Sequence, residues 1–162
     1  SMQVFARLLL LLTFLAAPLR AAAEAAAPMT PAPAIPESMS TAIKGDFDGR
    51  SYAADFAQDG KKGGGKDVVE FAGGLMSTRL CVRFGFPPAP YLVRVEGKKV
   101  HFYSEMTSEK QGKIVFSGFV EDGKLTADAK WAQARWYWTV NVGIKFDGAL
   151  TDPKADLPVF VK

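Results

Sequence analysis

The chain has 162 residues, 20 basic and 17 acidic, with 48% hydrophobic residues and a single cysteine. That length and balance fit one domain with a modest core and exclude a framework of intrachain disulfides. One His and one Cys cannot complete a tetrahedral zinc shell, and no acidic cluster accompanies them.

Residues 1–23 read as a secretory signal peptide. Arg7 is a minimal basic start, Leu8 to Ala17 an apolar run, Pro18 its end, and Ala21-Ala22-Ala23 the small residues a signal peptidase requires. The apolar run is half the ~20 residues a membrane span needs, so no transmembrane span is expected. No Cys follows it and no twin-Arg pair occurs, which argues against a lipid anchor and for the general secretory route. The expected location is periplasmic or extracellular. Removing this segment takes Arg7 and Arg20 from the 20 basic residues and leaves 18 against 17 acidic, a net charge of +1. Such a charge leaves no electrostatic footprint for nucleic acid.

Residues 24–42 form an Ala/Pro-rich linker. Pro28, Pro31, Pro33 and Pro36 deny it a helix, so an extended, disordered tether is expected. Residues 43–150 carry the folded domain and residues 151–162 a C-terminal extension.

Within the domain, turn signals are regular: the Gly60–Gly65 loop, Gly73-Gly74, Phe86-Pro87-Pro88-Ala89-Pro90, Gly97-Lys98, Ser108 to Gly112, Glu121-Asp122-Gly123 and Ala132-Gln133-Ala134. Between them lie runs of period two. Tyr52, Ala54 and Phe56 share one face of the first. Val69 and Phe71 mark a short second run, and Met76, Thr78 and Leu80 a third. Tyr91, Val93 and Val95 belong to the fourth, Val100, Phe102, Ser104 and Met106 to the fifth. Ile114, Phe116, Gly118 and Val120 define the sixth, and Leu125, Ala127, Ala129 and Trp131 the seventh. The eighth is the longest, with Trp136, Trp138, Val140, Val142, Ile144 and Phe146 on its apolar face.

Eight short strands, no helix and one apolar face imply antiparallel pairing. Closing the sheet removes its two exposed edges. The predicted fold is an all-β, eight-stranded antiparallel up-and-down barrel, with a two-sheet sandwich as the alternative.

The run from Phe47 to Leu150 resembles a group of small secreted bacterial proteins. The likeness rests on Phe47-Asp48-Gly49 at the opening, on Asp67-Val68-Val69-Glu70-Phe71 leading through Gly74 to Cys81, and on Gly85-Phe86 with Tyr91. Gly112, Gly118, Trp131 and the closing Phe146-Asp147-Gly148 complete it. The resemblance implies a shape similar to calycin-type barrels such as lipocalins and avidin. It brings no activity and no catalytic residues with it. The Gly-x-Trp opening of lipocalins is missing, and the barrel is shorter than theirs.

Candidate chemistry is sparse. Gly60 to Lys66 has the spacing of a phosphate-binding loop, but Asp67 stands where Ser or Thr must hold magnesium and a strand follows where a helix must begin. A solvated hairpin loop explains it better. A Cys81–His101 dyad would need hydrogen-bond reach and an orienting group. His101 falls on the polar face, and Cys81 either points outward or sits at a bend before Gly85. Asp46-Phe47-Asp48-Gly49 hints at a calcium loop, but the later acidic ligands are missing. No enzyme, cofactor or metal is expected.

The aromatic set is more suggestive. Trp131, Trp136, Trp138, Phe102, Phe116, Tyr52, Phe56 and Tyr91 are predicted to face inward, with Ser104 and Thr78 as polar groups among them. Such walls suit a small ligand, and the predicted ligand-binding residues are Trp136, Trp138, Trp131, Phe102, Phe116, Tyr91 and Ser104. Eight rings of ~150–250 Å² each could equally fill the interior. A shallow pocket at one mouth, near Pro87-Pro88 and Ala132-Gln133-Ala134, would reconcile the two. The functional expectation is a secreted, non-enzymatic barrel binding a small apolar or amphipathic ligand. The alternative is an inhibitor- or scaffold-like envelope protein acting through loops such as Gly60–Lys66 or Phe84–Pro90, with a filled interior.

Overall fold

The computed structural model describes residues 40–41, 47–137 and 139–162. The expected signal peptide, most of the linker and Trp138 lie outside the described residues. The described chain runs β1 (Ser40–Thr41), β2 (Arg50–Gln58), β3 (Gly64–Ala72), β4 (Leu75–Thr78), α1 (Arg79–Arg83), β5 (Ala89–Glu96), β6 (Lys99–Ser108), β7 (Gly112–Glu121), β8 (Lys124–Ala134), β9 (Thr139–Thr151) and β10 (Phe160–Val161).

Strands β2 to β9 close into an eight-stranded antiparallel barrel. Each pairs with its chain neighbours, and β9 returns to β2 with Phe56 opposite Phe146. Alternation decides what lies inside. Phe102, Ser104 and Met106 of β6 and Ile114, Phe116 and Val120 of β7 are buried on the inner face, as are Leu125, Ala127 and Ala129 of β8. Tight turns close one end of the barrel. At the β7–β8 turn Asp122 (φ 49°) and Gly123 (φ 72°) both adopt positive φ, the twist that a two-residue hairpin demands.

That end is plugged by aromatic rings. Phe47 enters from the turn before β2 and packs edge-on against Phe71 at 4.4 Å, with Tyr91 and Phe102 each 6.0 Å away. Each such pair adds ~0.5–1.5 kcal/mol to the burial itself. Asp48 fixes the plug. Its carboxylate accepts the Gly74 backbone N–H at 2.9–3.0 Å and the Tyr91 hydroxyl at 2.5 Å. The Phe-Asp-Gly opening is therefore a turn that seats a ring in the core.

The barrel wall is irregular at β4. This strand has four residues, and only Leu75 and Met76 pair with β5. Here the structure departs from the expectation of no helix. Thr78 ends the strand and caps α1 by accepting the Cys81 backbone N–H at 3.0 Å, the usual role of a threonine in that place. The edge of β3 that β4 leaves open is taken by β10, with Phe160 opposite Lys66 and Val161 opposite Gly65. The C-terminal extension is thus a strap on the barrel. A side chain at Gly65 would collide with the Phe160 carbonyl and the Phe56 ring. Within the stretch read as a tether, Ser40 and Thr41 pair with Val93 and Leu92 of β5.

One inward assignment is corrected. Trp136 is 93% exposed. The β8–β9 ladder ends at Ala134 opposite Thr139, so Trp136 sits in the connecting loop, where strand alternation has no hold. Its ring stacks edge-on against Tyr137 at 4.6 Å.

Candidate functional site

At the end opposite the Phe47 plug, the barrel opens into a cavity of about 460 Å³. The volume lies in the range of small-molecule sites, ~300–1,000 Å³. Four parts of the fold supply its apolar lining. Phe56, Val142, Ile144 and Phe146 come from the paired strands β2 and β9; Ile114 and Trp131 come from β7 and β8. Leu80, Cys81, Phe84 and Phe86 come from α1 and the segment after it, and Val161 from the strap. The early end of β4 creates the space, because a short helix and a two-residue strand stand where a full strand would have continued the wall.

Ring contacts set the floor. Phe146 lies 5.6 Å from Phe56 and 5.4 Å from Phe116. Trp131 is held from the rim: its indole N–H donates to the Gln111 carbonyl at 2.6 Å. Two positions further on, Gln133 donates to the Lys110 carbonyl at 2.6 Å. The β6–β7 loop is therefore tied to β8, and the Trp131 ring keeps its place in the wall.

Polar groups are few. Gln58 and Gln111 sit among the lining residues, with Asp67 deeper. Asp67 is 4% exposed. Its Oδ1 accepts the backbone N–H of Val68 at 2.7 Å and of Leu80 at 3.0 Å. Burial raises its carboxyl above the ordinary carboxylate value and Glu70 adds to the rise; hydrogen bonds from Thr78, Leu80 and Val68 oppose it. Cys81 is 8% exposed. Burial pushes its thiol up to about 12, with the Thr78 hydrogen bond opposing and the Asp67 charge reinforcing the shift. A thiol in that state stays protonated at neutral pH and is a poor nucleophile.

The sequence-predicted residues divide. Trp131 lines the cavity. Phe116 is buried against Phe146, one ring behind the lining. Tyr91 and Phe102 belong to the plugged end, and Ser104 donates to the Pro90 carbonyl at 3.0 Å. These four face inward as expected but are not among the residues lining this cavity. Trp136 is on the outer loop, and Trp138 lies outside the described residues. Thr78, expected as a polar wall group, caps α1 instead. Asp67 escaped the sequence reading, yet it shares the alternation of Val69 and Phe71, a carboxylate at an inward position.

His101 and Cys81 are not brought together. His101 lies on the outer side of β6 near the plugged end, 3.3 Å from Glu96, whereas Cys81 lies at the mouth. No group of three or more His, Cys, Asp or Glu suited to a metal occurs among the described residues. None of their helices is long and apolar enough to cross a membrane.

The fold and site together define a closed antiparallel barrel, plugged at one end and hollow at the other. No protein-family model, curated protein or solved structure matches the chain.

Proposed function

We propose that the protein is an exported, non-enzymatic binding barrel that holds a small apolar or amphipathic molecule in its mouth. The apolar cavity of about 460 Å³ carries this reading. Aliphatic and aromatic walls with a few fixed polar groups are the composition of small-molecule sites. The consecutive pairing of β2 to β9 supports an up-and-down, calycin-type description, and the apolar N-terminal run supports export. Denaturing extraction of protein purified from its host, followed by mass spectrometry, releases a stoichiometric apolar compound on this reading. An empty extract, together with no uptake of the neutral probe N-phenyl-1-naphthylamine, would sink it.

A second reading rests on one observation. The Trp136–Tyr137 pair is exposed on the β8–β9 loop at the mouth, and exposed aromatic residues are enriched where proteins meet partners. An envelope protein docked there would make the barrel an interaction module. Substituting both rings with Ala abolishes capture of such a partner and leaves probe uptake intact.

A further inference from the structure

The binding reading leaves the polar end of the ligand unspecified, and Asp67 bears on it. Among the described residues, Asp67 is the only carboxylate that lines the cavity, and no described Lys, Arg or His lines it. It stands on the inner face of β3, two residues before Val69. Its Oδ1 is occupied by the Val68 and Leu80 N–H groups, and Thr78 gives the carboxyl one further hydrogen bond. A carboxylate offers roughly four acceptor sites, so capacity remains on the cavity side.

Among the described residues, the groups acting on Asp67 supply no cation. Thr78 and Cys81 are uncharged, and Glu70 is acidic. Arg79 of α1 is turned away to Glu70 at 3.0 Å and to the Ala155 and Pro153 carbonyls. Arg83 reaches the Val159 carbonyl. A buried carboxylate without a cationic partner is costly. A ligand head that donates hydrogen bonds supplies what the protein withholds, and a second carboxylate in the same apolar space adds like charge.

We infer that the cavity selects single-chain amphiphiles whose head is a hydrogen-bond donor, an ammonium or a hydroxyl held by Asp67, and rejects carboxylate heads. This rests on the binding reading above. The test is displacement of N-phenyl-1-naphthylamine by decylamine, 1-decanol and decanoate near neutral pH. Decylamine and decanol are expected to displace the probe at about one-tenth the concentration of decanoate or less, a difference of ~1.4 kcal/mol or more. In Asp67→Asn, which keeps an acceptor for the two backbone N–H groups, the advantage of decylamine over decanoate shrinks to roughly threefold or less. Equal displacement by decanoate, or a full preference retained in Asp67→Asn, overturns the inference while leaving a binding barrel. Failure of the probe to bind at all overturns both. Should Asp67→Asn not fold, the wild type titrated from about pH 8 to about pH 4 replaces it: decylamine stays charged and decanol neutral throughout. The decylamine-to-decanol preference then falls as Asp67 protonates, and a ratio that stays constant contradicts the inference.

Discussion

Asp67 is where a local rule and a global need conflict. Its carboxyl anchors the corner between β4 and α1 through Leu80 N–H, yet the same placement takes the charge out of water. The raised carboxyl fixes the sign of its pH effect. Between the ordinary value of 3.8 and the raised value, the folded state holds a proton that the unfolded state has released. Stability therefore falls as pH rises through that window. Asp67→Asn removes this loss. Its melting temperature is expected to gain on the wild type as pH rises from about 4 to about 7, read as the difference between the two denaturation curves. A gap that stays constant or closes would count against the account of Asp67. The inward place of Asp67 was legible in the period-two alternation of β3. Its hydrogen-bond partners were not, because Leu80 belongs to a corner that no repeat announces.

At the scale of elements, the departures from regular strand pairing build the site. Met76, Thr78 and Leu80 keep a period of two, which is why α1 read as more strand. A five-residue helix is too short to display its own period, and only Thr78 as a cap signals it. The Trp136 misplacement has the same root: apolar alternation continues through Trp136, Trp138 and Val140, while the ladder ends at Thr139. The strap was invisible for another reason, since pairing of β10 with β3 depends on an edge that exists only because β4 stops early. Arg79 fastens that strap through the Pro153 and Ala155 carbonyls and pairs with Glu70. Arg79→Ala is expected to lose about 1.5–3 kcal/mol, the worth of charge-assisted hydrogen bonds. It should also open the chain to trypsin after Lys154, seen by mass spectrometry as loss of residues 155–162. Resistance equal to wild type would mean that β10 holds the strap alone.

For the whole molecule, eight alternating strands and the closure of their edges were readable from the sequence, because period two and turn chemistry are local properties. How far the interior is filled was not. That depends on which rings share a level of the barrel, and strand stagger decides it. The rings divide unevenly: Phe47, Tyr52, Phe71, Tyr91 and Phe102 crowd one end, while the other keeps only a lining. The resulting shape is a cup with a solid base. The most direct test is an amide NMR titration of the protein with N-phenyl-1-naphthylamine. Shifts concentrated at Phe56, Asp67, Ile114, Val142, Ile144 and Phe146, with Phe47 and Tyr91 unmoved, are the predicted result. No shifts, or shifts confined to the outer loop at Arg135 to Tyr137, would contradict a ligand cavity in the barrel mouth.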